Sequence, residues 1–448
     1  MSNKEIEFSL GRSPSVSKAE QLLKYGIWLY FLLLIFEGAL RKWFLPALST
    51  PLLIVRDPLA VWIIIVALRN NFLKSNLLIV GMVAIGVLSF FTAVFMGHGN
   101  GLVAFYGARI LLFHFPLMFV IGSVFKREDV LALGKTILYI SIPMTLLIAL
   151  QFYSPQSSWV NRGVGGDMEG AGFGGALGYF RPPGTFSFTN GTTLFYSFVA
   201  SYIFYFWFQA KEQNKLLVLI STTCLLIAIP LSISRGLFFQ VIVTAIFSLF
   251  SIMKNPKYLS RMVMACMFFI LIFAALSKTS FFQTGTEVFT NRFTNANETE
   301  GGIEGVLLDR FLGGMLSGLQ SSSRQPFFGY GTGMGTNVGA QLLEGKLTFL
   351  IDEQEWARII GELGPLLGLI VIFIRVVFCL KIFRYGCTKL TVNDSLPWML
   401  ISFGLITVAQ GQWAQPTALG FSTLIGGLII ASFKEPVKSE EHIIQGES

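Results

Sequence analysis

The chain has 448 residues, of which 53% are hydrophobic and only 13% are charged. Soluble domains carry roughly 25% charged residues, so the composition excludes most soluble enzymes and favours a membrane protein. The formal net charge of +8 could suit a nucleic acid. However, the lysines and arginines flank apolar runs and do not form a basic patch with interleaved aromatic residues. We therefore expect membrane lipids as partners and no nucleic acid.

Apolar runs of membrane-spanning length fill most of the sequence, and a helix needs about 20 apolar residues to cross the hydrocarbon core. The pattern predicts an all-α polytopic membrane protein with about twelve transmembrane helices, and 1–448 forms one integral membrane domain. The predicted spans lie near 25–37, 52–68, 77–96, 104–122, 133–152, 191–209, 216–233, 236–253, 262–277, 357–380, 396–411 and 417–432.

Basic residues in the short connections predict the orientation of these helices. If the N-terminus is cytoplasmic, every short loop on that side is basic, as the positive-inside rule requires. Both termini are then cytoplasmic, and 433–448 forms a short cytoplasmic tail. Three cysteines lie in predicted spans and the fourth in a cytoplasmic loop, so we expect no disulfide framework; they are Cys224, Cys266, Cys379 and Cys387.

Two outer segments are too long to be simple turns, and loops of this length are usually functional or disordered. The first, 153–190, is glycine-rich and ends in the stiff turn Arg181-Pro182-Pro183-Gly184. A flexible connector is the favoured interpretation of its glycine-rich part. The second, 278–356, has apolar residues at helical spacing near 304–320, which predicts an amphipathic helix on the membrane or over a cavity.

The sequence does not contain the usual metal and nucleotide motifs. Its three histidines and four cysteines do not have the spacing of a zinc site, and 339–347 departs from the phosphate-binding loop pattern. The run from Gly329 to Gly335 does not fit a dinucleotide fingerprint, and we interpret it as a tight backbone bend. We expect no metal and no cofactor, so a reaction would draw on energy stored in its substrate or on an ion gradient.

Arg235 lies between two apolar runs with almost no loop around it, so its guanidinium must face protein or a wet cavity. A planar group with five donors suits a phosphate or diphosphate, although a structural ion pair is the open alternative. Other arginines could add to an outward-facing anion site, while each could also be a solvated loop charge; these are Arg181, Arg292, Arg310 and Arg324.

Four carboxylates lie at the start of the tenth predicted span. Glu355, Arg358 and Glu362 are spaced i, i+3, i+7, so the arginine can pair with either acid on one helix face, and structural pairing is the favoured interpretation. Glu353 lies outside this stripe. Its carboxylate could take a proton from an acceptor hydroxyl.

Several motifs resemble those of the bacterial O-antigen ligase and O-antigen polymerase superfamily, which are integral membrane glycosyltransferases. The resemblance rests on Ser234-Arg235-Gly236 opening a span and on the late outer loop with Phe328-Gly329-Tyr330-Gly331-Thr332-Gly333. It also includes Glu362-Leu363-Gly364, and it covers 180–370. The fold arrangement that it implies is a bundle of spans with both long loops in the periplasm.

The resemblance implies an inner-membrane enzyme of bacteria whose active site faces the periplasm. Its donor would be an undecaprenyl-diphosphate-linked glycan, its acceptor a glycan or lipid-linked glycan, and its further partners polysaccharide chain-length or export proteins. Arg235 corresponds to the family arginine that engages the lipid diphosphate. The other proposed substrate-binding residues are Arg181, Arg310, Arg324 and Arg358.

One position departs from the family pattern. Glu353 and Gln354 stand where the family often has a His-Asn pair, nine residues before Glu362. We expect Glu353 to replace the histidine as a base or acceptor-orienting group, which would make it catalytic together with Arg235. The missing histidine favours a polymerase or related exopolysaccharide activity over a ligase.

Two other classes of protein remain open from the sequence. A transporter or lipid-linked glycan flippase has a similar number of spans, but its polar groups and broken helices are expected near the midplane. A structural subunit of a polysaccharide export machine is the third class, in which the intramembrane arginines would have no obvious use.

Overall fold

The computed structural model describes residues 14–208, 215–300, 318–320, 322–345 and 350–435. These segments are helices and connecting loops, with one isolated antiparallel bridge between Gly174 and Phe180 and no strand. The predicted all-α class is therefore confirmed for the described part of the chain. The amphipathic helix expected near 304–320 lies outside the described residues except for its last three positions.

Sixteen α-helices are present in these segments, numbered here in chain order. They are α1 Pro14–Ala39, α2 Ser49–Leu53, α3 Arg56–Arg69, α4 Leu77–Phe95, α5 Gly101–Arg109, α6 Phe115–Val124, α7 Arg127–Tyr153, α8 Thr189–Phe208, α9 Lys215–Leu231, α10 Arg235–Lys254, α11 Leu259–Leu276, α12 Ser280–Glu300, α13 Asn337–Glu344, α14 Glu355–Thr391, α15 Leu396–Gln410 and α16 Pro416–Ser432.

Within the described segments, eight helical stretches are long and apolar enough to cross a membrane. They are Lys18–Phe44, Pro46–Arg69, Leu77–Phe95, Gly101–Val124, Arg127–Tyr153, Arg235–Lys254, Pro256–Leu276 and Glu355–Thr391. Three shorter apolar helices, α9, α15 and α16, accompany them. The protein is a multi-pass membrane protein, while the count of twelve spans stays a prediction.

The tenth predicted span, 357–380, is broken. A straight helix would separate Glu355 from Arg375 by about 30 Å, yet Arg375 Nη1 lies 2.7 Å from Glu355 Oε1. The reversal occurs at Gly364, whose φ of 78° and ψ of 169° are not helical. Pro365 follows and cannot donate the next helical hydrogen bond. Helix α14 therefore consists of a short arm before Gly364 and a long arm after it, packed side by side.

Charged residues of the first helices pair inside the bundle. Arg56 Nε donates to Glu37 Oε2 at 3.0 Å, and Arg109 Nη1 donates to Asp57 Oδ1 at 2.8 Å. Arg56 also donates, at 2.8 Å, to the carbonyl of Pro416, which is the first residue of α16. Buried charges are tolerated only when they are paired and hydrogen-bonded, so these contacts fix α1, α3 and α5 against the start of α16.

The two ends of the helix bundle differ in their polar contacts. At one end, Arg127 makes a bidentate pair with Asp394, with both distances at 2.7 Å, and also donates to the carbonyl of Ser432. This joins the start of α7, the connection before α15 and the end of α16. At the other end of α15 and α16, residues 411–415 connect the two helices beside a polar cavity.

The stiff turn predicted at Arg181-Pro182-Pro183-Gly184 is held by buried groups. Lys42 Nζ donates to the carbonyl of Gly184 at 2.6 Å, and Gln151 Oε1 accepts from its N–H at 2.8 Å. Gly184 has a φ of +60°, a region that favours glycine. The end of the glycine-rich loop is thereby fixed against α7 and the end of the first apolar stretch.

We expect Gly364→Ala to destabilise the protein strongly. A Cβ at this position would lie 2.0 Å from the carbonyl oxygen of Phe327, and alanine at this φ alone costs about 1–3 kcal/mol. Gly101→Ala is the matched control, because a Cβ there meets no atom within 4 Å. Thermal unfolding in detergent should show a much lower midpoint for Gly364→Ala, and equal midpoints for the two variants would contradict the described turn.

Candidate functional site

A polar cavity of about 360 Å³ lies where several helices meet. Four helices begin at its wall, each contributing a first-turn residue: Asn190 of α8, Arg235 of α10, Glu355 of α14 and Ala418 of α16. Helix α15 ends there at Gln410. The N-terminus of a helix carries unpaired N–H groups and a partial positive charge, so this arrangement favours an anionic ligand.

Three arginines reach this cavity from separate parts of the chain. Arg181 comes from the stiff turn before α8, Arg235 from the start of α10, and Arg292 from α12. Arg292 also donates to the carbonyl of Gly174 in the glycine-rich loop at 3.3 Å. The structure thus brings together three of the arginines singled out from the sequence, and their guanidinium groups add positive charge to the helix N-termini.

The turn before Arg235 has a strained backbone. Ile233 has a φ of +49° although it is β-branched, and its side chain is fully buried. Such a conformation costs on the order of 1–3 kcal/mol and persists only where the surrounding structure enforces it. The glycine-rich loop 153–190 supplies part of that constraint, because Gly175 packs closely against the Ile233 side chain. A Cβ added at Gly175 would lie only 2.6 Å from Ile233 Cδ1.

Ser234 then fixes the start of α10. Its Oγ accepts a hydrogen bond from the N–H of Leu237 at 3.2 Å, which is the N-cap arrangement expected of serine. The same Oγ lies 2.8 Å from Thr193 Oγ1 of α8. Arg235 is therefore held at the first position of its helix, beside α8 and inside the cavity wall.

A chain of side-chain amides crosses another part of the cavity wall and ends on Glu353. Asn190 Nδ2 donates to Gln415 Oε1 at 3.1 Å, and Gln415 Nε2 donates to Gln412 Oε1 at 2.7 Å. Gln412 Nε2 then donates to the backbone carbonyl of Glu353 at 2.9 Å. The Glu353 backbone is thereby held, while its side chain is exposed at the cavity.

These amides were not among the candidate residues predicted from the sequence. A signal was present, because Gln410, Gln412 and Gln415 lie within six residues between two apolar runs. Polar side chains at the ends of predicted spans are candidates for a cavity wall. Their pairing with Asn190, more than 200 positions earlier, cannot be read from local spacing.

Arg358 makes the structural pairing favoured from its spacing. It donates to both carboxylate oxygens of Glu355 at 3.0 Å and to Glu362 at 2.5 Å, and all three side chains are buried. Arg358 therefore lies behind the cavity wall, whereas Glu355 reaches the cavity itself. Carboxylates accept hydrogen bonds from both terminal nitrogens of Arg358. Arg358 therefore has a structural position and does not join the three arginines that line the cavity.

Arg375 completes this buried network from the long arm of α14. In addition to Glu355, it donates to the carbonyls of Val408 at 2.9 Å and Gly411 at 3.0 Å. Its guanidinium carbon also lies 3.8 Å from the ring centroid of Trp413. The network thus ties both arms of α14 to the end of α15, which forms part of the cavity wall.

Arg324 is not brought to the cavity. Arg324 is exposed in the short segment Ser322–Arg324 and does not line the cavity. Arg310 lies outside the described residues.

The glycine-rich run near 329–335 forms the tight bend predicted from the sequence. Gly329, Gly331 and Gly333 have φ values of +69°, +108° and +91°. The N–H of Gly331 donates to the carbonyl of Glu362 at 3.0 Å, and the N–H of Gly335 donates to its carboxylate at 2.8 Å. Glu362 thus anchors this loop to the short arm of α14.

We expect Glu355→Gln to destabilise the fold, because it leaves two buried guanidinium groups with one carboxylate. Removing one partner of a buried pair typically costs about 3–5 kcal/mol. The exposed Glu344→Gln, on α13, is the matched control. Chemical unfolding in detergent should separate the variants by several kcal/mol, and coincident unfolding curves would show that the network contributes little.

No family model matches this chain, and no curated protein matches it either.

Proposed function

We propose that the protein is a metal-independent glycosyltransferase that transfers a glycan from undecaprenyl diphosphate to a sugar hydroxyl, in the biosynthesis of a surface polysaccharide. The observation that carries this proposal is the convergence of Arg181, Arg235 and Arg292 on a cavity ringed by helix N-termini, with an exposed carboxylate and several amides in the same wall. These groups provide an anion site beside groups that can hydrogen-bond to a sugar.

The proposed reaction is a displacement at the anomeric carbon of the donor glycan. The acceptor hydroxyl oxygen forms a bond to this carbon while the bond to the diphosphate oxygen breaks. Glu353 takes the proton of the hydroxyl, and undecaprenyl diphosphate leaves with the electron pair. The three arginines stabilise the charge that develops on the leaving diphosphate, which is where preorganised donors contribute most.

The orientation of the protein forms part of the proposal. Twelve spans with both termini in the cytoplasm would place the Arg127–Asp394 end of the bundle inside the cell and the cavity at the periplasmic face of the bacterial inner membrane. The basic short loops support this orientation. A donor that is already activated then supplies the driving force on a side without ATP.

Polymerase activity is proposed over ligase activity. The support is Glu353, which occupies the position where the resemblance implies a histidine in ligases. The acceptor would then be a second lipid-linked glycan, and chain-length or export proteins would be the partners in the membrane.

A second candidate function is the transport of a lipid-linked glycan. The observation in its favour is the break in α14, together with the buried Glu355 and Arg375, which pair across its two arms. Discontinuous helices with charged groups are typical of transporters. The two candidates differ in whether the glycan leaves its lipid, which a reconstitution experiment measures directly.

Reconstitution of the purified protein with the undecaprenyl-diphosphate-linked repeat unit of its host tests the proposal. We expect free undecaprenyl diphosphate and a ladder of glycan lengths on a gel. A single transfer to an added acceptor would make the protein a ligase. Movement of intact lipid-linked glycan across the vesicle membrane without product would establish the transporter instead.

Arg235→Ala is expected to lower the transfer rate about 100-fold or more, the usual effect of removing one donor from a charge-stabilising site. Arg235→Lys should restore only part of the rate, because an ammonium lacks the planar fork of donors. The exposed Arg384→Ala is the matched control. Release of undecaprenyl diphosphate at equal protein levels is the measurement, and a wild-type rate in Arg235→Ala would refute the assignment.

Glu353→Gln should reduce the rate about 100-fold or more, since general base catalysis contributes roughly that much. The variant keeps the backbone carbonyl that Gln412 binds, so the fold of this segment is retained. Glu344→Gln again serves as the control on an exposed carboxylate. Full activity in Glu353→Ala would remove this residue from the mechanism.

A further inference from the structure

A second concave surface lies between the end of α11 and the helix α12. Here it is called the α12 groove, and it is open with a volume of about 490 Å³. Its walls include Phe273 of α11 and a strip of polar residues along α12. None of the residues that form the anion site lines it.

Helix α12 has an unusual composition for a helix with an exposed face. Its 21 residues include five threonines, three asparagines and one glycine. Threonine, asparagine and glycine are poor helix formers compared with alanine, lysine or glutamate. Helix propensity therefore does not account for these side chains.

The polar residues follow two rows spaced four residues apart along one side of α12. Gln283, Glu287 and Asn291 form one row, and Thr286, Thr290 and Thr294 form the other. Residues four apart lie above one another on a helix. The result is a continuous strip of hydroxyl and amide groups with a single charged side chain.

The neighbouring faces of α12 connect the groove to the cavity. Phe289 and Phe293 pack against Phe238 of α10, with ring centroids 5.9 and 5.8 Å apart. Phe293 also lies 5.9 Å from Phe239, which is part of the cavity wall. Arg292 faces the cavity, whereas Asn291 faces the groove. Helix α12 is therefore a wall shared by the two sites.

The geometry points to the α12 groove as a binding site for a neutral glycan chain, outside the cavity where transfer occurs. Hydroxyl and amide groups both donate and accept hydrogen bonds, as the hydroxyls of a sugar do. Phe273 is half exposed and forms a T-shaped pair with Phe282, with ring centroids 5.7 Å apart, so the two rings add apolar surface to the groove. An anionic lipid headgroup fits poorly, because Glu287 is the only charged group among the described residues that line the groove.

The identity of the ligand rests on the proposed function, since the groove would hold the glycan that enters or leaves the cavity. It goes beyond that function because it predicts processive growth. A chain retained on α12 after one transfer remains beside the cavity for the next.

The first test measures binding without turnover. The probe is the oligosaccharide that mild acid releases from the host's lipid-linked glycans, and the protein carries Arg235→Ala to prevent transfer. We expect this protein to bind the probe. Adding the triple change Thr290→Ala, Asn291→Ala and Thr294→Ala should weaken binding about ten-fold or more, because several hydrogen bonds of about 1 kcal/mol each are lost.

The control is Thr284→Ala in the same helix, since Thr284 does not line the groove. Alanine is the best helix former, so none of these changes disfavours α12. Equal binding by the triple variant and the Thr284→Ala control would overturn the proposal, as would no binding of the probe to the Arg235→Ala protein.

The second test measures product length in the otherwise wild-type protein. We expect the groove variant to consume donor at the control rate but to make shorter chains, while the control keeps the wild-type distribution. An unchanged length distribution would overturn the processive role of the groove. If the wild-type protein consumes no donor, the proposed transferase function fails, and the binding measurement still decides whether the groove holds a glycan.

Discussion

The buried carboxylate of Glu355, held between two guanidinium groups, is the interaction on which the rest of this site depends. Arg358 reaches it from the same short arm of α14, and Arg375 reaches it from the long arm beyond the reversal at Gly364. Arg375 also holds the end of α15, and Arg358 holds Glu362, which anchors the glycine-rich bend. A buried network of this kind contributes less to net stability than to a unique arrangement, and here that arrangement places one wall of the cavity.

The cavity shows how a membrane protein can concentrate positive charge without burying it unpaired. Part of the charge comes from helix N-termini, whose N–H groups need partners in any case. The remainder comes from arginines on a turn, a helix start and a neighbouring helix. The strained φ of Ile233 fits this picture, because strain at a helix start is maintained where exact placement of the next residue matters. Helix α12 then divides this charged cavity from a groove lined mainly by hydroxyl and amide groups.

The sequence predicted the site unevenly, and the reasons are physical. Arg235 was identifiable because a guanidinium between two apolar runs is too costly to expose to lipid and must face protein or water. The pairing of Arg358 followed from helical spacing, which is a local property. Arg375 was missed because its partner lies across a chain reversal, and Asn190 was missed because its amide partner is more than 200 positions away. Hydropathy also could not show that 357–380 is broken, since Gly364 and Pro365 interrupt the helix without interrupting the apolar run.

The sequence by itself determined the all-helical membrane class, the approximate positions of the apolar helices and the tight bends at glycine. These properties depend on side-chain hydrophobicity and on the backbone freedom of single residues, which act locally. Only the tertiary structure decided which arginines share a cavity, that Arg358 stabilises its wall from behind, and that amides from two distant segments hold Glu353. Those outcomes depend on packing between helices that are distant in the sequence. Such a contact forms only when all the helices between its two partners are correctly packed.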